Sequence, residues 1–431
     1  MAYSVAIDEV PKEIRKQIVK RCEIVEKTYK QVYNPKRISA YTIEDGMLKI
    51  PLVYASELFG KFPNKYVDYS KCEPFEMKCE LRDYQKEILP KAITMFKQTG
   101  ACFLNLFCSY GKTVMGAYFS SLFSRSYGYK TVVTYPRNMI GKSWLGTFEN
   151  LTTANVCVFD GTVDESCQVI LCTSSGLGKL PKMNIGHLII DEADLYCTQT
   201  RAMNLLNVNP MFITCLTATY EREDSLHRML DLFVGTSKIT KISSRPFYVM
   251  KIDTGIKVDF TQIRVNSMGR SFNDVIKQLH ESTERNNTIL EVIKNNREQK
   301  IMLLTRHVEH CKRLKKILDD SRISNVGIYG KVKEYRDEQV IIGTYSKVGV
   351  GFDEKESCID WNGRRINMLI IASPVKRPEQ FVGRSFRAER PVIVDLVDDF
   401  DICKKHWGLR KSWYLSRNGI IEKTDSSFVW K

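Results

Sequence analysis

Apolar and polar positions in this chain follow two different rhythms, and the change between them divides it. In the first rhythm Ile14, Ile18, Cys22 and Val25 recur at spacings of four and three, with Lys, Arg and Glu between them. That spacing predicts a helix from Pro11 to Tyr33. Tyr41-Thr42-Ile43 and Met47-Leu48-Lys49-Ile50 then flank Glu44-Asp45-Gly46, a turn signal that predicts a hairpin. From about residue 75 short continuous apolar runs take over: Ala101–Phe107, Lys130–Tyr135, Gln168–Cys172, His187–Ile190 and Phe212–Leu216. A second series comprises Ile301–Thr305, Val326–Tyr329, Gln339–Gly343, Met368–Ala372 and Pro391–Leu396. Such runs, separated by helix-length stretches, predict parallel sheets covered on both faces. The expected fold class is α/β, with two similar tandem domains at 75–243 and 244–431. A small α/β accessory domain, 1–74, precedes them and carries no catalytic motif.

Composition changes this picture in three places. With 431 residues the chain exceeds one core, in keeping with several domains. No apolar run reaches 18 residues, and the N-terminus lacks a basic stretch followed by an apolar one. These patterns predict a cytoplasmic protein without a membrane partner. The 13 cysteines are scattered, with no Cys-x-x-Cys pair, which predicts buried thiols in a reducing compartment. The net charge is +15, of which residues 241–431 carry +11. DNA or RNA would answer such an excess, and a basic surface without a partner is the plainer alternative.

Four short stretches carry the candidate chemistry. Cys108-Ser109-Tyr110-Gly111-Lys112-Thr113 follows an apolar strand and opens a helix. Backbone N–H groups at a helix start favour phosphate oxygens. Lys112 suits the β and γ phosphates, and the Thr113 hydroxyl suits Mg²⁺. Leu106 stands where the full phosphate-loop pattern has glycine. Asp191-Glu192-Ala193-Asp194 sits at the end of a buried-strand run, where parallel sheets bind ligands. Asp191 suits the metal, and Glu192 suits the task of orienting or deprotonating a water. Thr217-Ala218-Thr219 ends another strand, and its hydroxyls suit coupling of the nucleotide site to motion; a plain strand end has the same residues. Arg384 and Arg387 lie three apart, on one face of a helix, and planar guanidinium groups suit the charge of a departing phosphoryl group.

The ordered set resembles the superfamily 2 helicases and translocases, whose engine is a pair of RecA-like domains. The likeness covers about residues 78–400. Leu81-Arg82-Asp83-Tyr84-Gln85 resembles the element ahead of the phosphate loop, which implies adenine recognition by Gln85 and neighbours such as Arg82. Tyr135-Pro136-Arg137 with Trp144, then Thr173-Ser174, resemble strand-contacting motifs. Leu304-Thr305-Arg306, Tyr329-Gly330, and Thr344 with Gly351-Phe352-Asp353 resemble motifs of the second domain. Gln380 opens the last motif, which runs to Arg387. The resemblance is nearest to the branch holding the XPB-type translocases, the tailed-phage branched-DNA helicases and the poxvirus transcript-release helicase. Thr219-Tyr220-Glu221-Arg222-Glu223-Asp224 resembles an arginine-acid stretch of the XPB-like proteins, and Glu284-Arg285-Asn286 the helix leading into the second domain.

This resemblance implies an ATP-dependent DNA helicase or translocase, with ATP and Mg²⁺ in a cleft between the tandem domains. Cys108 to Thr113, Gly351, Asp353 and Gln380 would contact ATP. Lys112, Asp191, Glu192, Arg384 and Arg387 would serve hydrolysis. Pro136, Arg137, Thr173, Thr305, Arg306 and Thr344 would contact the nucleic-acid backbone. The expected partner is forked, branched or single-stranded DNA, met by a monomer, in replication, repair or recombination. An RNA helicase or transcript-release factor is the alternative enzyme, and a binding module with a decayed ATP site the alternative non-enzyme. The basic and aromatic stretch Lys404 to Arg417 reads first as the packed closing helix of a domain.

Overall fold

A computed structural model of the chain describes residues 2–27, 35–60, 68–181, 183–222, 224–243, 245–266, 269–332, 334–348, 352, 354–376, 378, 381–383 and 388–431. It separates into two compact units, Met1–Lys241 and Ile242–Lys431. The first begins with β1 (Ala2–Ala6), α1 (Lys12–Cys22), β2 (Glu23–Val25), β3 (Arg37–Ser39), β4 (Thr42–Glu44), β5 (Met47–Pro51) and α2 (Leu52–Phe59). Strands β4 and β5 form the expected hairpin, with Asp45 and Gly46 both at positive φ as its tight turn requires. The helix expected over 11–33 stops at Cys22. Glu23-Ile24-Val25 instead pairs with Arg37-Ile38-Ser39 in an antiparallel ribbon, so strand pairing overrides the helical spacing there. Residues 28–34 of that expectation lie outside the described residues.

The rest of the first unit is built on α3 (Asp83–Lys86), α4 (Leu89–Thr99), β6 (Ala101–Leu106), α5 (Lys112–Tyr127), β7 (Thr131–Tyr135), α6 (Asn138–Leu151) and β8 (Val156–Val158). It continues through β9 (Val169–Thr173), α7 (Ser174–Leu177), β10 (Asn184–Ile190), α8 (Gln199–Leu206), β11 (Asn209–Thr217), α9 (Arg228–Val234) and β12 (Ile239–Lys241). The sheet order is β12-β6-β11-β10-β7-β9-β8, and every pairing is parallel. The five apolar runs became β6, β7, β9, β10 and β11; edge strands β8 and β12, three residues each, are too short to stand out in the sequence. The described part of the N-terminal segment packs into the interior of this unit. Ile18, Leu48, Ile50 and Val53 share one apolar core with Leu205, Leu230 and Phe233.

The second unit runs through β13 (Phe247–Asp253), the short pair β14 (Val265–Asn266) and β15 (Gly269–Arg270), α10 (Phe272–Glu281), α11 (Thr283–Asn295), β16 (Ile301–Thr305) and α12 (Val308–Asp320). It continues with β17 (Asn325–Ile328), β18 (Val340–Thr344), β19 (Met368–Ile371), β20 (Val392–Val397) and, after the helix Asp401–Ser416, β21 (Gly419–Thr424). The order is β17-β18-β16-β19-β20-β13-β21, again wholly parallel. Helix Asp401–Ser416 buries Cys403, His406, Arg410 and Tyr414, which makes it the packed closing helix expected. Both units therefore have the RecA-like α/β architecture. No helix among the described residues is long and apolar enough to cross a membrane.

One expectation about cysteine is corrected. Pairing of β8 with β9 brings Cys157 and Cys167 to a Cα separation of 5.9 Å, and the two form a disulfide. Burial pushes other thiols up, Cys22 and Cys172 among them, each to about 12, so they stay protonated.

Candidate active site

The carboxyl ends of β6, β10 and β11 are neighbours, since β11 pairs with both of the others. The loop after β6 turns sharply, with Ser109 at φ 71° and Gly111 at φ 93°. Glycine is needed at 111 for a second reason. A Cβ there would lie 2.5 Å from Gln85 Nε2. Gln85 is buried and ties the preceding element to this loop. Its Nε2 donates to the Tyr110 carbonyl at 3.1 Å, and its Oε1 accepts from the Arg82 N–H at 3.0 Å. The Tyr110 hydroxyl donates to the Tyr84 carbonyl at 2.6 Å. Lys112 and Thr113 open α5, half-buried, with Lys112 Nζ donating to the Leu106 carbonyl at 3.2 Å.

At the end of β10, Asp191 is buried. Its Oδ2 accepts from the Trp144 indole N–H at 2.8 Å, and its Oδ1 from the Glu192 N–H at 2.9 Å. Burial raises the Asp191 carboxyl to about 6, and the neighbouring Glu192 charge pushes the same way; the Trp144 bond and Lys112 oppose them. Asp194 is likewise raised to about 6 by burial and by Glu192. Glu192 itself holds a left-handed backbone, φ 48° and ψ 53°. Such a conformation costs a side-chain-bearing residue about 1–2 kcal/mol and needs support from its surroundings.

Part of that support comes from β11. The Thr217 hydroxyl donates to Asp194 Oδ1 at 2.7 Å, and the Thr219 hydroxyl donates to Asp194 Oδ2 at 3.2 Å. The Thr-Ala-Thr segment is thus bonded to the Asp-Glu-Ala-Asp turn. Trp144 has a role its sequence context did not suggest. It is fully buried between α5 and Asp191, so it cannot meet nucleic acid as the resemblance implied. Gly116 gives it room, for a Cβ there would lie 2.5 Å from the indole. A tryptophan in an apolar-spaced helix was the available signal.

The expected backbone-contact residues divide. Tyr135 pairs with Thr173 across β7 and β9, so Pro136-Arg137 and Thr173 sit side by side at the carboxyl edge. Arg137 is exposed, whereas the Thr173 hydroxyl caps α7 through the Gly176 N–H at 3.0 Å. In the second unit Thr305 pairs with Thr344 across β16 and β18. Thr305 is buried, and its hydroxyl bonds inward to His310 Nδ1 at 2.6 Å and Ser373 Oγ at 2.8 Å. Arg306 is exposed. Thr344 is buried, with its hydroxyl 3.3 Å from that of Ser346. Gly351, Asp353, Gln380, Arg384 and Arg387 lie outside the described residues.

Comparison with known proteins agrees with this geometry. Residues 78–222 match the family described as "Type III restriction enzyme, res subunit". The chain is 26% identical over 385 residues to "Putative helicase 161L" of Invertebrate iridescent virus 6, covering 80% of this chain and 83% of that protein. It is 27% identical over 356 residues to "Putative helicase 055L" of Frog virus 3 (isolate Goorha), covering 80% and 79%. Among solved structures, "S. cerevisiae Dbp5 bound to RNA and ADP BeF3" shares the fold, with a TM-score of 0.54, 11% identity and coverage of 79% and 90%. The motif order, the paired parallel sheets and these relatives together make the chain a member of the superfamily 2 DExD/H helicases and translocases.

Proposed function

We propose that this protein is a nucleic-acid-stimulated ATPase that works as a helicase or translocase on forked or branched DNA. The observation that carries the reading is the convergence at one sheet edge of the Lys112–Thr113 helix start, the Asp191–Glu192 turn and the Thr217–Thr219 strand end. The start of α5 and Lys112 would hold the phosphates of ATP. The residues present also fit Mg²⁺. Three carboxylates fall within four positions, and the carboxyls of Asp191 and Asp194 are raised to about 6 by burial and by Glu192, a concentration of charge that a divalent cation would relieve. Asp191 and the Thr113 hydroxyl would hold the ion, which supplies charge neutralisation at the phosphates. Glu192 would orient or deprotonate the attacking water. Arg384 and Arg387 would meet the charge on the departing phosphoryl group, with Gln380, Gly351 and Asp353 near the nucleotide. Pro136, Arg137, Thr173, Thr305, Arg306 and Thr344 remain proposed for the backbone of the nucleic acid, a sequence-independent and salt-sensitive mode. The excess charge of +11 in residues 241–431 supports such a polyanion partner.

The test is ATP hydrolysis with no nucleic acid, single-stranded DNA, forked DNA, four-way junctions and RNA. Lys112→Ala and Glu192→Gln are expected to lower turnover by about a thousandfold or more. Strong stimulation by forks and junctions supports the DNA reading. Stimulation by RNA alone would transfer the same motor to RNA, and hydrolysis that survives both substitutions would overturn the site.

A further inference from the structure

The left-handed Glu192 backbone has to be held, and the two threonines hold only the carboxylate of Asp194 two residues on. The Asp194 carbonyl is held from another side, accepting from Arg222 Nη1 at 3.0 Å. Arg222 is in turn fixed by a fork. Its Nε donates to Asp224 Oδ1 at 2.9 Å and its Nη2 to Asp224 Oδ2 at 2.5 Å. Its own backbone N–H donates to His227 Nδ1 at 3.1 Å. A planar guanidinium held at two nitrogens has little freedom left, so the third contact is a rigid strut against the turn that carries Glu192.

That strut is attached to the N-terminal segment. The Lys27 N–H donates to the Asp224 carbonyl at 3.0 Å, and Arg228 Nη2 donates to the Val25 carbonyl at 3.1 Å. The same ribbon is fastened to the segment that follows the turn. Gln199, which opens α8 five residues after Asp194, accepts from the Ser39 N–H at 2.7 Å and donates to the Ser39 carbonyl at 3.3 Å. Val25 and Ser39 belong to β2 and β3, which pair with each other. One two-stranded ribbon is therefore pinned both to the segment that clamps Arg222 and to the segment that follows the acidic turn.

We propose that Arg222, clamped by Asp224, is a positioning residue for Glu192, and that the β2–β3 ribbon governs hydrolysis through it. The inference rests on the ATPase reading and gives the N-terminal segment a means of acting on turnover without touching ATP. Displacement of the ribbon moves Asp224, releases Arg222 from the Asp194 carbonyl and lets the strained turn relax. Lys112 and Thr113 stand at the start of α5, apart from this turn, so nucleotide binding persists while turnover falls.

The test uses the full chain with saturating nucleic acid. It reads kcat and KM for ATP, affinity for a fluorescent ATP analogue, and melting temperature. Arg222→Gln and Asp224→Asn are each expected to lower kcat about ten- to a hundredfold, the scale on which small misplacements act. Analogue affinity should stay within about twofold, since the phosphate-holding loop is untouched. The double variant should lose no more than the worse single one, because both break the same strut. Arg222→Lys, which keeps one donor for the Asp194 carbonyl, should recover part of the loss. Gln199→Ala should lower kcat in the same direction by about threefold, roughly half to one kcal/mol of weakened support. The inference is overturned if Arg222→Gln and Asp224→Asn keep full kcat, or if kcat and analogue affinity fall together with melting temperature. Normal turnover in Gln199→Ala removes the ribbon from it. Glu192→Gln run alongside separates the two readings: if that variant still hydrolyses ATP, the ATPase assignment itself fails.

Discussion

The two parallel sheets have seven strands each, yet they fill their carboxyl ends with opposite chemistry. In the first, two carboxyls are pushed up to about 6 by burial and a neighbouring acid, and a strained glutamate lies between them. In the second, buried charges among the described residues form ion pairs. Arg285 pairs with Asp398 at 2.7 Å, and Arg410 pairs with Asp395 through two nitrogens, at 2.7 and 2.8 Å. His280 stacks on His310 with ring centroids 3.9 Å apart, among the hydroxyls of Thr305 and Ser373. The difference teaches where reactivity is stored. Uncompensated charge and strain mark a site that a ligand completes, whereas paired charges mark a supporting frame.

The comparison breaks most readily at Arg410. Asp395 is fully buried and also accepts from the Tyr414 hydroxyl at 2.9 Å. Arg410→Met leaves that carboxylate without its cation, which costs about 3–5 kcal/mol. Denaturant unfolding should show the loss, and Arg410→Met with Asp395→Leu should recover much of it. If the single variant is as stable as the parent, the second sheet's pairs are not the frame described here.

Much of this frame was legible in the sequence, and the exceptions have physical causes. Ile301–Thr305 was readable residue for residue, because a strand buried on both faces is apolar throughout. Strand β13 was not, since Phe247–Asp253 mixes charged and apolar positions next to β21. The helix expected to Tyr33 ended at Cys22, because a partner strand 14 residues beyond Glu23 captured the chain. At the site, Lys112, Asp191 and Glu192 were visible because their chemistry is local to short motifs. Trp144 and Arg222 were visible only as letters of motifs. Their work on Asp191 and Asp194 depends on contacts 47 and 28 residues apart, which spacing alone does not encode.

A second way to sharpen the contrast lies at Gly111. Alanine there must adopt φ 93° and set its Cβ 2.5 Å from Gln85 Nε2. The strain and the clash together cost about 1–3 kcal/mol, and they fall on the loop proposed to hold phosphate. Gly111→Ala should therefore raise KM for ATP by about tenfold while lowering the melting temperature only a few degrees. A variant that loses stability but keeps its KM would place the strain in the frame and not in the site.

The smallest effect comes from pH, and its sign differs between the sheets. In the first unit Asp191 and Asp194 have folded values near 6 against an ordinary 3.8, so the fold holds protons that the unfolded chain has released. Their contribution is present below 3.8 and is lost as pH rises through 6. His187, buried and lowered to about 3, works against them. In the second unit burial lowers His280 to about 2, His310 well below 6.5, and His307 in the same direction. Neutral histidine contributes fully above 6.5, and that contribution is lost as pH falls below it. Going from pH 7 to 5 should therefore weaken the second unit by about 1 kcal/mol or more, while the acids of the first offset its histidine. Amide hydrogen exchange resolves the two units and checks this directly. Protection should fall over β16 and α12 and hold over β10 and β11, and His280→Gln should flatten the response of the second unit. Equal losses in both sheets would mean that the acids of the first are not held in the environment their burial describes. Added Mg²⁺ should stabilise the first unit at pH 7, where both carboxyls are ionised, more than at pH 5, where protons already occupy them.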